Sequence, residues 1–121
     1  TYAFITGAVA IIRVRTIQEL GLFDEAFTPA YFEDQDMVQR YTHFGWHQRH
    51  IDIPVFHGYL GEAERVNQAK REALVAEHGD FTRRNMETYA ARWQIESTRA
   101  GLTRDNLRDR FPRLFFPPRS A

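Results

Sequence analysis

The chain has 121 residues, 43% of them hydrophobic and 14% aromatic, enough to build one globular core and too apolar for a disordered segment. Its formal net charge is zero, so bulk attraction to nucleic acid or to an anionic membrane is not expected, and the absence of cysteine removes disulfides, thiolate metal sites and Cys nucleophiles together. The charge is unevenly spread: residues 1–60 carry four Arg against seven acidic residues, and residues 61–121 carry twelve Lys and Arg against nine.

Residues 4–13 (FITGAVAIIR) are apolar, β-branched and nearly uncharged, which predicts a buried strand. Gly7 and Ala8 inside it would allow close approach to the backbone, for packing or for a ligand. The start at Thr1 has no basic leader and reads as the interior of a strand, so the chain is expected to be a piece of a longer protein with an edge in need of a partner. No run approaches the roughly 20 apolar residues of a membrane helix.

Thr16 and Glu19 have capping-box spacing, and Gly21 suits a helix end, so residues 16–20 read as a short helix. The stretch 22–27 (LFDEAF) follows as a loop with buried aromatics, broken by Pro29. A second helix opens near Glu33. Met37, Val38, Tyr41 and Phe44 give it one buried face, Asp36 and Arg40 can pair at i,i+4, and Gly45 can end it. Residues 46–55 (WHQRHIDIPV) alternate loosely and predict one or two strands.

From there the chain reads as helical. Residues 64–78 place Val66, Ala69, Ala73, Leu74 and Glu77 on one side, Gly79 stops that helix, and Asp80 caps the next. Met86, Tyr89, Ala90 and Trp93 form a stripe on that one. A weaker helix is predicted from Thr103 to Arg110, followed by a Pro- and Phe-rich tail that packs on something. The basic helices lack a continuous stripe with base-reading side chains, so nucleic acid is not an expected partner.

The chemistry concentrates in residues 31–36 (YFEDQD), with three carboxylates in four positions behind two aromatics. One reading is a solvated acidic helix start, which suits the positive end of the helix dipole. The other is a site: Glu33-Asp34 could supply a general base, and Tyr31 and Phe32 could stack on a sugar face. Asp34-x-Asp36 spells a metal-binding pattern, but residues i and i+2 of a helix point about 200° apart, which is poor for chelation. His57, beside Gly58, is a candidate metal ligand, and the other four histidines have no partner spacing.

Taken in order, residues 6–13 (TGAVAIIR), 21–27 (GLFDEAF) and 32–37 (FEDQDM), then Arg40, Gly45 and His57, resemble the second half of GT-A glycosyltransferases of the family 2 type. The likeness covers roughly residues 4–60, about half the chain. It implies an α/β fold: a partial, Rossmann-like GT-A domain with a few-stranded mixed sheet over residues 1–60, the acceptor-side catalytic half, followed by a helical C-terminal extension over residues 61–121. It implies inverting transfer from a nucleotide sugar to a glycan or polysaccharide acceptor. Asp34 would be the base, with Glu33, Phe32 and Tyr31 contacting acceptor and Gly7 and Ala8 the donor. His57 would help hold a divalent metal, Mn or Mg, on the donor diphosphate. The family's nucleotide-binding half is missing from these residues, so the chain is expected to need that half, or another chain, for activity. The implied location is cytoplasmic, or peripheral to the inner face of a membrane. The rival expectation is a non-catalytic fragment that binds carbohydrate or protein.

Overall fold

The computed structural model describes residues 10–52 and 62–115, with the backbone alone over 62–66. Among the described residues, six helices account for the regular structure: α1 (Val14–Leu20), α2 (Glu33–His43), α3 (Glu62–His78), α4 (Phe81–Trp93), α5 (Glu96–Ala100) and α6 (Leu107–Arg110). Among the described residues there is no strand, so the expected α/β fold with a mixed GT-A sheet is corrected to a helical one. Over its described part, residues 46–52, the strand predicted for residues 46–55 fails for a physical reason. Strand backbone needs a neighbouring strand to satisfy its N–H and C=O groups. Residues 46–52 have none among the described residues, and Ile51 is 56% exposed. The predicted strand at 4–13 lies mostly outside the described residues; its described end, residues 10–13, is irregular, with Ile11 82% exposed.

Helix boundaries follow local chemistry where that chemistry is strong. The end of α2 is a Schellman motif: Gly45 N–H donates to the Thr42 carbonyl at 3.1 Å, and Trp46 N–H donates to the Tyr41 carbonyl at 2.9 Å. Gly45 supplies the required left-handed residue, at φ 86°. Gly79 follows α3, and the Asp80 side chain accepts from Arg83 N–H at 3.2 Å to cap α4. The expected Thr16–Glu19 capping box does not form. Helix α1 starts earlier, after Arg13, so Thr16 lies buried inside it and Glu19 pairs instead with Arg15 and Arg104.

The core joins the first described helix to the last described segment. Leu20 packs with Trp93, Leu102, Leu107, Phe111 and Leu114, and Tyr41, Phe44, Trp46, Tyr89 and Phe115 close over them. Burial of each large apolar side chain stabilises by about 1.5–3 kcal/mol, so the segment from α4 through Leu114 and the α1–α2 pair hold one another. Gly21 marks the tightest approach: a Cβ there would stand 2.6 Å from Leu114 Cγ, and its φ is +75°. The described part of the tail, residues 111–115, packs as expected through Phe111 and Leu114. The predicted 103–110 helix shortens to α6, because Thr103 and Asn106 bind each other's backbone in a loop: Asn106 Oδ1 accepts from Thr103 N–H at 2.9 Å and Thr103 Oγ1 from Asn106 N–H at 3.3 Å.

Beneath the candidate site lies a buried ionic network. Arg40 and Asp36 are both fully buried and pair at 2.6 Å, the i,i+4 contact expected from sequence. Arg40 also donates through Nε to the Leu20 carbonyl at 2.8 Å and through Nη2 to the Leu22 carbonyl. The second Asp36 oxygen accepts from Arg92 Nη1 at 3.0 Å and from Trp93 Nε1 at 2.9 Å. Arg92 Nη1 also stands 2.8 Å from Asp24 Oδ2, an ion pair without hydrogen-bond alignment, while Asp24 Oδ1 accepts from Ala26 N–H. Arg92 lies over the rings of Phe27 and Phe111. The network ties α2 to α4 and to the 22–27 loop.

Candidate acceptor site

The site is built on the turn that feeds α2. Tyr31 and Phe32 both adopt left-handed backbone, at φ 75° and 72°. For residues with a side chain that conformation costs roughly 1–2 kcal/mol each, so the surroundings must hold it. Asn85, buried on α4, does so with one amide group: Nδ2 donates to the Ala30 carbonyl at 2.7 Å and reaches the carbonyls of Tyr31 at 3.3 Å and Thr28 at 3.4 Å. Arg84 Nη2 adds a bond to the Thr28 carbonyl at 3.1 Å. The two aromatics then dock on α4 in turn. The Tyr31 ring stacks on Phe81 with centroids 5.7 Å apart and 14° between planes, and Phe32 tilts against Tyr89 at 5.7 Å. The Thr28–Pro29 peptide is cis.

This turn delivers Glu33 and Asp34 as the first two residues of α2. Four of the residues singled out from sequence, Tyr31, Phe32, Glu33 and Asp34, therefore stand consecutively on one clamped turn. Asp36 does not join them: it faces inward to Arg40, Arg92 and Trp93, so the D-x-D spelling is not a chelating pair here. Gly7, Ala8 and His57 lie outside the described residues. Among the described residues, no group of three or more His, Asp or Glu converges on a point that could hold a metal ion.

The two carboxylates are held differently. Asp34 Oδ1 accepts from the Gln35 N–H at 2.8 Å. Glu33 Oε2 is buried and receives no hydrogen bond among the described residues. Burial pushes the Glu33 carboxyl above its ordinary 4.5, with the neighbouring Asp34 charge adding to the rise against backbone hydrogen bonds that oppose it. A raised folded-state pKa means that the folded state holds the proton more tightly than the unfolded one. Stability from this group is therefore full below about 4.5 and declines as pH rises through the higher folded value. Replacing Glu33 by Gln is expected to leave the melting temperature unchanged at pH 4 and raise it at pH 7. A variant less stable than wild type at pH 7 would contradict this, and differential scanning calorimetry across that range reads it directly.

Comparisons with family models, curated proteins and solved structures returned no match. No described helix is long and apolar enough to cross a membrane.

Asn85, Arg71 and Arg92 are the residues that sequence reasoning passed over. Asn85 sits at i+4 from Phe81 and i−4 from Tyr89, on the stripe that holds the turn, whereas Met86, expected on the buried face, is 49% exposed. A polar residue in register with Phe81, Tyr89 and Trp93 was the available signal. Arg71 on α3 donates to the Tyr31 hydroxyl at 3.0 Å and lies 5.3 Å from its ring centroid.

Proposed function

We propose that this chain forms the acceptor-side part of an inverting, nucleotide-sugar-dependent glycosyltransferase that passes a sugar to a glycan or polysaccharide acceptor. The observation that carries the reading is the Glu33–Asp34 pair, held behind two clamped aromatics in the order that the sequence resemblance assigns to acceptor contact and base. In the reaction, an acceptor hydroxyl oxygen attacks the anomeric carbon from the face opposite the leaving group. Its proton passes to the Asp34 carboxylate, and the bonding electrons of the old glycosidic link leave with the nucleotide diphosphate. Glu33, beside Asp34 at the start of α2, hydrogen-bonds the acceptor and orients it. Tyr31 and Phe32 supply aromatic faces for the sugar.

The reading assigns donor contacts to Gly7 and Ala8. The remaining donor contacts come from a nucleotide-binding half, on another segment or another chain. A Mn or Mg ion on the donor diphosphate would offset charge as the diphosphate departs, with His57 as the ligand from this chain. The reaction belongs to the cytoplasm or the inner face of a membrane.

The test is sugar transfer by the chain together with its donor-binding half, using a panel of nucleotide sugars, with the anomeric configuration of the product read by NMR. Inverted product is expected; retained configuration, or no transfer from any donor in the panel, would sink the reading.

A further inference from the structure

Beside the Tyr31 turn, α3 and the start of α4 enclose an open groove of about 480 Å³, lined by residues of all three elements. That volume lies in the range of small-molecule sites. The face that α3 presents to it is mostly polar. It carries Asn67, Lys70, Arg71 and Leu74, at spacings of three and four residues, which is one side of a helix. The lining holds two cations and no carboxylate.

The cations differ in kind. Arg71 is preorganised: its guanidinium sits at the Tyr31 ring and spends one N–H on the Tyr31 hydroxyl. An Arg fork has five N–H donors, so the rest remain for an acceptor with several oxygens. Lys70 makes no ion pair among the described residues and adds a mobile point charge one residue away. Tyr31, 43% exposed and backed by Phe81, gives the groove an aromatic wall. Aromatic surface beside an anion-seeking fork fits a molecule that is part sugar and part anion.

We propose that this groove binds the negatively charged end of a saccharide, with Arg71 and Lys70 on the phosphate or carboxylate and Tyr31 against the sugar ring. The proposal rests on the acceptor-side reading above and deepens it: because Tyr31 is two residues from Glu33 on the same clamped turn, the acceptor anchored there would be an anionic glycan or a sugar phosphate.

The experiment is equilibrium binding to this chain by calorimetry, with no donor present, of glucose 1-phosphate, glucuronate, glucose and inorganic phosphate. At least one of the two charged sugars is expected to bind, and which one does separates a phosphate from a carboxylate as the natural anion. Its affinity should fall as salt rises from about 0.1 to 1 M, where the screening length shortens from about 10 to about 3 Å. Arg71→Gln should weaken it by about tenfold or more, and Lys70→Gln by less, at unchanged melting temperature. Glucose binding as tightly as the charged sugars, inorganic phosphate binding as tightly as glucose 1-phosphate, or affinity indifferent to both substitutions would each overturn the proposal. So would no binding at all. Because no transfer is measured, these outcomes leave the transferase reading to its own test, and failure of transfer does not alter them.

Discussion

Asp36→Asn is expected to destabilise the fold by about 3–5 kcal/mol, a large share of the roughly 5–15 kcal/mol that holds a typical single domain. The substitution keeps the shape of the side chain and removes its charge. Asn can still accept from Trp93 Nε1, so lost hydrogen bonding at the indole is not the cause. What is lost is the anion facing two guanidiniums, Arg40 at 2.6 Å and Arg92 at 3.0 Å. Arg40 has no exposed surface on which to recover hydration. Burial already presses its pKa down, and Asp36 is the largest of the influences that oppose this. An arginine cannot escape by releasing its proton at ordinary pH, so the variant must either bury an unpaired cation or open the α2–α4 contact. Asp34→Asn, two residues away, makes a stringent control. Asp34 is only partly buried and contributes to the helix start, and its loss should change stability by no more than about 1 kcal/mol. Urea unfolding of the two variants in parallel decides the matter; equal midpoints would show that the Asp36 network does not hold the fold.

The same pair of aspartates shows what the sequence reveals and what it conceals. Contacts within one helix or one turn were legible. The Asp36–Arg40 spacing, Gly45 after α2, and Gly79-Asp80 between α3 and α4 each depend on residues within a few positions of one another, and each forms as read. Contacts made across the chain were not. Nothing near Asp36 announces that Arg92 and Trp93 will meet it from more than fifty positions away, or that Asp24 will share Arg92. Helix faces went wrong where the inward residue is polar. A hydrophobic pattern assigns Met86 to the buried stripe of α4 and passes over Asn85, yet the backbone carbonyls of the 28–31 turn need a buried donor, and that requirement outranks apolarity. The α/β expectation failed because alternation in residues 46–52 is a necessary but weak condition for a strand, and the described chain offers those residues no partner edge. The candidate site itself was legible as a local cluster of residues, while the clamp that gives it shape was not.

Asp34→Asn in the assembled transferase is expected to lower kcat by roughly 100- to 10,000-fold with little change in the binding of acceptor. The amide matches the carboxylate in size, and either side-chain oxygen can accept from the Gln35 N–H, so the turn and the start of α2 should persist. What disappears is a group able to take the hydroxyl proton as the acceptor oxygen attacks. Glu33 should not rescue the variant. In this reading its carboxyl contacts the acceptor away from the attacking hydroxyl, so it does not face the proton that must be removed. Glu33→Gln should behave differently: an amide can still hydrogen-bond the acceptor, so the loss should fall on KM more than on kcat, and the double variant should be no slower than Asp34→Asn alone in the chemical step. The decisive measurement is single-turnover transfer with pre-bound acceptor, since it separates chemistry from product release. A rate for Asp34→Asn close to wild type would remove Asp34 as the base. If Glu33→Gln then carried the large kcat defect, the base would move to Glu33. If both kept full rate, the acidic turn would be a binding surface and a helix start, and the proton would be taken by a group supplied from the donor-binding half.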